Sequence, residues 1–411
     1  MAASRLETKM LTVAEAHEAI ARCVAPLPPT RVPLSDLLGL RLAADVTATL
    51  DSPPFDKSVV DGYAIATTDA SPALHEVELI TAGGVPSQPL RPGATIRVMT
   101  GAPVPAGADA VVKWEDCQVL GDGSIRNPAA QVKPGLCILR RGAAFHAGEV
   151  LLTAGRRLGP LEIALLAEMG CAVASAVPRP RVGVLPTGDE LVEPGQPAGP
   201  GKIRNSNGPM LAALLAAAGM TSVNLGVGRD DPADLCEKMA RGLEQCDVLL
   251  VSGGVSAGVK DLVPGVLAEL GVTEQFHSVR VKPGKPLWFG TLPHDRGRPS
   301  RLVFGLPGNP VSTLVSFRLF VLSALRALAG EPYAAPSTEA ATLASPITHR
   351  GQRPTYHPCR SSRDGGGRCI EPLPWKGSAD IATLTRADCL AALPQGDYEL
   401  APGDAVQVLA L

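Results

Sequence analysis

At 411 residues the chain exceeds the roughly 250–300 residues at which one hydrophobic core stops growing, so two to four domains are expected. A formal net charge of −2 removes the broad basic footprint of a nucleic-acid binder, and Phe, Trp and Tyr at 3% leave few platforms for stacked bases. Nine cysteines, with no C-x-x-C pair and one left over in any full pairing, read as reduced thiols of a cytoplasmic protein.

The first ten residues mix Arg5, Glu7 and Lys9 with no apolar stretch, so no secretory signal is expected. Thr12-Val13-Ala14-Glu15 has the form of a capping box and opens a helix over Val13 to Cys23, stopped by Pro26, Pro28 and Pro29. From Val46 to about Val150 short β-type runs such as Thr95 to Met99 and Ala110 to Val112 alternate with Gly and Pro turns. A second helix is expected over Leu158 to Met169, and Pro178-Arg179-Pro180 marks a boundary.

Beyond Arg181, apolar strands alternate with amphipathic helices, the pattern of an open α/β sheet with parallel strands. Expected strands are Val182 to Leu185, Val223 to Val227, Val248 to Val251, Val279 to Val281 and Leu302 to Phe304. Asn207 is expected to cap a helix ending near Gly219, and Asp230-Asp231-Pro232 to open another. Pro307-Gly308-Asn309-Pro310 leads into a long helix that ends before Gly330. The apolar run Leu211 to Ala218 is far short of the ~20 residues that span a bilayer, so no membrane segment is expected. From Glu331 to Leu411 short β-type segments return, with turns at Gly365-Gly366-Gly367 and Gly396-Asp397.

Three Gly and Ser/Thr loops follow strands and open helices: Pro186-Thr187-Gly188-Asp189-Glu190, Ser252 to Gly258 with Gly253, Gly254 and Ser256, and Leu306 to Ser312 with Pro307 and Asn309. Free amides at helix starts hold anions, so phosphate or a pyrophosphate ester is the natural ligand. One such loop is only a tight turn; three on one sheet edge favour binding. Lys282-Pro283-Gly284-Lys285-Pro286 adds two ammonium groups on a stiff turn, suited to phosphate or an oxyanion. Asp61, Glu190, Asp230 and Asp261 fall on loops or helix starts, where carboxylates hold a hard cation; helix capping is the competing account of Asp230. Gly254 to Gly258 also matches the nucleophile elbow G-x-S-x-G around Ser256, with His277, His294, His349 and His357 downstream in no recognisable context.

Together these strings resemble the MoeA family of molybdopterin molybdenumtransferases, which includes the E domain of gephyrin. The resemblance rests on Pro53 to Asp56, Ser58 to Ala64, Met99 to Pro105, Gly107 to Val112, Thr187 to Leu191, Ser252 to Ser256, Lys282 to Pro286 and Leu306 to Ser312, in that order. It implies an α/β plus β multidomain fold: residues 1–45 with 146–178 as a helical linking domain, 46–145 as a β-rich inserted domain, 179–330 as an open α/β molybdopterin-binding domain, and 331–411 as a small β-barrel-like domain.

The resemblance further implies a homodimer whose partner subunit closes the site. The implied reaction uses molybdate and adenylylated molybdopterin as substrates, with Mg2+, and releases AMP. Transient contact with the adenylylating protein and with recipient apo-molybdoenzymes is implied too. Asp61, Thr100 and Asp261 fall on catalytic positions. Thr187, Gly188, Glu190, Asp230, Ser252, Gly253, Gly254, Ser256, Lys282, Lys285, Pro307, Asn309 and Ser312 fall on ligand-binding positions, and Asp61, Glu190, Asp230 and Asp261 on metal-handling ones.

The chain departs from the family pattern in places. Where the family usually reads N-V-R-x-x-G-E-D, it has Cys137-Ile138-Leu139-Arg140-Arg141-Gly142-Ala143-Ala144, without the acidic pair. After Gly258 the chain reads Val259-Lys260-Asp261 where an acidic or polar residue often follows the glycine, and Asn205 stands where aspartate is common. Two other functions stay open on the sequence: a pterin-binding or scaffold paralogue with weak or no insertase activity, and a serine hydrolase using Ser256.

Overall fold

The computed structural model describes residues 10–255, 261–293, 299–364 and 367–411. The chain forms two compact units, one of residues 33–38 and 44–174 and the other of 1–32, 39–43 and 175–411.

The smaller unit is β-rich. Its five-stranded sheet runs in the order Ala110–Lys113, Gly62–Ile65, Ala94–Val98, Ala73–Ile80, Ile125–Arg126. Gly62 is dictated by the sheet: a Cβ there would stand 2.1 Å from the Val112 carbonyl oxygen, so only glycine lets the two strands approach. The helix expected from Leu158 spans Pro160–Glu168, because Gly159 takes the cap position and Pro160 the first turn.

In the larger unit Thr12 caps Val13–Cys23 as the sequence predicts: its hydroxyl accepts from Glu15 N at 3.1 Å while the Glu15 carboxylate accepts from Thr12 N at 2.7 Å. The central sheet has six strands in the order Thr221–Asn224, Arg181–Pro186, Val248–Ser252, Arg301–Leu306, Trp288–Leu292, Thr273–His277. The first four are parallel. Trp288–Leu292 runs antiparallel to both neighbours, so the sheet is mixed where parallel strands were expected. Its four inner strands are buried on both faces, while the edge strands Thr221–Asn224 and Thr273–His277 are largely exposed. Val182, Val184, Leu250 and Phe304 join one core with Ile20, Phe317 and Phe320, while Leu185, Leu249, Val251 and Val303 join another with Leu235, Met239 and Leu267.

Two expected strands move. Val223 to Val227 is replaced by Thr221–Asn224, because the Asn224 side chain accepts from Gly226 N at 2.9 Å and Gly226 has φ +81°. Val279 to Val281 is a tight loop and not a strand: Ser278 has φ 85°, and Val279 N donates to Lys285 O at 3.0 Å. The apolar residues there fill the core, Val279 and Val281 being fully buried, which gave them a strand-like pattern.

The helix Pro310–Leu328, with a π turn at Phe317–Val321, is long and apolar enough to cross a membrane by length and composition, but 89% of its apolar window is buried, as in a core helix. The C-terminal strands Glu339–Leu343, Gly367–Pro372, Thr355–Asp364, Cys389–Leu393 and Ala405–Ala410 close into a barrel in that order.

Candidate functional site

The loops that leave the carboxyl ends of the sheet strands are laced to one another. Thr187 N donates to Ser252 O at 2.8 Å, Gly253 N to Leu306 O at 3.0 Å, and Gly188 N to Gly228 O at 3.0 Å. Gly253 has φ +100° and its missing Cβ would lie 2.5 Å from Thr187 O, so the loops touch backbone to backbone. Asp189 and Asp230 each accept from the other's backbone N–H, at 3.2 and 3.4 Å. Asp231, not Asp230, caps the next helix.

These loops enclose a cavity of about 1030 Å³. Its wall brings together Thr187, Gly188, Glu190, Asp230, Ser252, Gly253, Gly254, Asp261, Lys282, Lys285, Pro307, Asn309 and Ser312. Ser256 lies outside the described residues. Thr187, Ser252 and Ser312 are buried, whereas Lys282, Lys285, Glu190 and Asp230 are exposed into the opening. Arg204 and Arg353 also line it, so four cationic side chains face three anionic ones on the wall. The helices Asn207–Ala217 and Pro310–Leu328 begin at it and add their positive ends.

Asn207 does not cap its helix. Its amide donates to Ser252 Oγ and to Gly308 O, both at 2.7 Å, and ties three loops together, while Asn205 Oδ1 accepts from Gly208 N at 3.0 Å and takes the capping role. Sequence reasoning passed over Arg353, Trp375 and Ser378, which reach the wall from the C-terminal barrel segment. Asn309 Nδ2 donates to Ser378 Oγ at 2.9 Å and Val311 N to Ser378 O at 3.1 Å, fixing that segment to the helix start. No local motif announces them, because they come together only through tertiary packing.

In the smaller unit Asp61 and Thr100 are direct partners, with Thr100 N 2.7 Å and Thr100 Oγ1 2.8 Å from Asp61 Oδ1. The backbone N–H of Thr100, then its hydroxyl, hold the Asp61 carboxyl below the usual carboxylate range, with the Arg97 charge adding to the effect. Ala143 and Ala144 are exposed on a loop where Asp56 accepts from Arg140 at 2.6 Å and from Arg141 N at 2.8 Å.

Of the histidines, His277 bonds Val255 O at 2.8 Å and His357 bonds Leu373 O at 2.9 Å, while His349 bonds Gly396 O at 2.6 Å and Thr355 Oγ1 at 2.9 Å. Their bonds are spent on backbone and a hydroxyl rather than on the carboxylate that a catalytic triad requires. Ser256 and His294 lie outside the described residues.

Among the described residues no three His, Cys, Asp or Glu side chains converge to hold a metal unaided. Glu190, Asp230 and Asp261 on one wall do suit magnesium, which takes one or two carboxylates and completes its shell with phosphate oxygens and water.

A two-unit chain whose α/β sheet gathers anion-binding loops over one large cavity defines a molybdopterin-binding type of α/β protein: residues 183–327 match a probable molybdopterin binding domain. Residues 11–170 match the MoeA N-terminal region (domain I and II) and 340–411 the MoeA C-terminal region (domain IV). The chain belongs to the MoeA family.

It is 35% identical over 388 residues to the molybdopterin molybdenumtransferase of Nostoc sp., covering 91% of this chain and 86% of that one. Identity to molybdopterin molybdenumtransferase 2 of Mycobacterium tuberculosis is also 35%, covering 97% and 99%. A solved molybdopterin biosynthesis moeA protein from Pyrococcus horikosii superposes with a TM-score of 0.80 at 30% identity, covering 98% of this chain and 99% of that one.

Proposed function

We propose that this chain is a molybdopterin molybdenumtransferase that inserts molybdenum from molybdate into adenylylated molybdopterin and releases AMP. The observation that carries the reading is the single cavity on which every described ligand-binding position of the α/β domain meets. The names of its relatives support the same activity.

Both substrates are anions. Lys282, Lys285 and the positive ends of the helices that begin at Asn207 and Pro310 hold them together against their mutual repulsion. Glu190, Asp230 and Asp261 would hold magnesium, which neutralises phosphate charge when bound. Adenylate cleavage breaks a phosphorus–oxygen bond of the diphosphate link and forms one to water, leaving AMP and a terminal pterin phosphate. Transfer forms two molybdenum–sulfur bonds as one oxo ligand leaves with two thiol protons as water. Asp61, Thr100 and Asp261 are assigned to this chemistry, with Asp61 held ionised by Thr100. A four-part subunit, a homodimer, a cytoplasmic setting, and transient contact with the adenylylating protein and with apo-molybdoenzymes complete the proposal.

The test is incubation with adenylylated pterin, magnesium and molybdate, following AMP release and reconstitution of an apo-molybdoenzyme. Molybdate-dependent release and reconstitution are expected. Tight pterin binding with no AMP release would instead identify a scaffold paralogue, a reading that the missing acidic pair at Ala143 and Ala144 permits.

A further inference from the structure

Tryptophan is scarce in this chain, with three in 411 residues, and the three are used differently. Trp288 is buried and its indole N–H donates to Glu274 at 2.7 Å. Trp114 is exposed beneath Arg97, whose guanidinium lies 5.1 Å from the ring centroid. Trp375 lines the cavity, and its indole nitrogen is buried with no hydrogen-bond partner. Among the described residues it is the one aromatic side chain on that wall.

Its position is fixed from several directions. The indole meets the His357 ring edge-on, with centroids 5.8 Å apart and planes at 88°, and His357 is itself bonded to Leu373 O. Three residues on, Ser378 is pinned to Asn309 and Val311. Asp380 accepts from Lys376 N at 3.1 Å, closing the loop between them. A large ring held rigidly at a cavity wall, its N–H turned into the protein, offers a flat apolar face suited to a flat partner. Molybdate and phosphate, which are tetrahedral and fully hydrated, gain nothing from an indole.

We propose that Trp375 is the specificity-determining contact for a fused bicyclic heterocycle of the ligand, a purine or a pterin, and takes no part in holding the inorganic oxyanion. The proposal rests on the cavity being the substrate site and names the residue that distinguishes an organic ligand from an inorganic one there.

Equilibrium binding of three probes to the full chain tests it: AMP for the purine, 6-carboxypterin for the pterin, and molybdate alone. Trp375→Ala is expected to weaken AMP or 6-carboxypterin about five- to a hundredfold, the range seen for loss of one ring contact, while molybdate stays within about twofold. The ring probe that weakens tells which heterocycle sits there. Trp375→Phe keeps a ring without the N–H and restores that affinity to within roughly threefold.

Unchanged affinity for both ring probes in Trp375→Ala overturns the proposal and leaves the wider functional reading standing. Equal loss of ring probes and molybdate overturns it too, by making Trp375 a scaffold residue. If the parent protein binds none of the three, the wider reading fails as well.

Discussion

Thr100 donates twice to one oxygen of Asp61, its backbone N–H at 2.7 Å and its hydroxyl at 2.8 Å both meeting Oδ1. The pair fixes both the orientation and the charge of a carboxylate that is exposed on its surface. Asp61→Asn preserves shape and removes charge. It is expected to slow AMP release roughly a hundredfold or more, the scale of losing one positioned electrostatic group, while the thermal midpoint barely moves. Thr100→Val keeps the backbone donor and loses the hydroxyl, so a smaller loss and a rise of the Asp61 pKa toward its usual value are expected. Parent-like turnover in Asp61→Asn would remove this residue from the chemistry.

Lys285 stands on the turn that replaces the expected strand, exposed at the cavity beside Gly284. Lys285→Ala is expected to weaken molybdate binding about ten- to a hundredfold, since hydrogen bonds to charged groups contribute ~1.5–3 kcal/mol. The affinity of the parent should fall with added salt, and that of the variant less steeply. Calorimetric titration at two ionic strengths reads both effects, and an unchanged dissociation constant excludes Lys285 from the oxyanion site.

Ala144 is exposed, with its backbone N–H donating to Ser52 O at 2.9 Å, so a longer side chain there meets no buried wall. Ala144→Asp restores the carboxylate that the family pattern leads one to expect. Molybdate-dependent cofactor formation is expected to rise severalfold, with stability within about 0.5 kcal/mol of the parent. No change would mean that the remaining carboxylates suffice.

Gly253 and Gly195 make a matched pair of tests. Alanine at Gly253 would place its Cβ 2.5 Å from Thr187 O and 2.9 Å from Thr187 Oγ1, at a φ of +100°, whereas nothing lies within 4 Å of a Cβ at Gly195. Gly253→Ala is expected to cost roughly 2 kcal/mol or more and to abolish ligand binding, and Gly195→Ala to stay within about 0.5 kcal/mol. Denaturation and binding measurements on both variants check this, and equal effects would refute the geometric reading of the loop.

The parts of the site that could be read in advance are those in which one short string carries both the turn and the chemistry. Thr187-Gly188, Ser252-Gly253-Gly254 and Pro307-Gly308-Asn309 name their own backbone geometry, and all three reach the cavity wall. Arg353, Trp375 and Ser378 were invisible because their chemistry depends on a barrel segment folding back to the sheet edge. The same limit explains the misread strand at Val279 to Val281. Burial made it apolar, but Ser278 at positive φ turned it into a loop, and local pattern does not distinguish the two. Asn207 has the residue type of a helix cap, but its bonds run to loops 45 and 101 positions away.

His17, on the N-terminal helix, bonds Tyr333 Oη through Nδ1 at 2.8 Å and packs against Phe320 with ring centroids 5.1 Å apart. Burial pushes its pKa down to about 4 from an ordinary 6.5. The unfolded chain therefore binds more protons than the folded one between pH 6.5 and about 4. The stabilisation tied to neutral His17 is complete above pH 6.5, falls as pH drops, and is gone below about 4. Such a shift has a ceiling of ~3 kcal/mol, and partial enclosure of the ring reduces it to about 1–2 kcal/mol. His17→Phe keeps the packing and removes the titration. The parent is expected to lose more of its thermal midpoint between pH 7 and pH 5 than this variant does, and equal losses in the two proteins would show that His17 is not the group responsible.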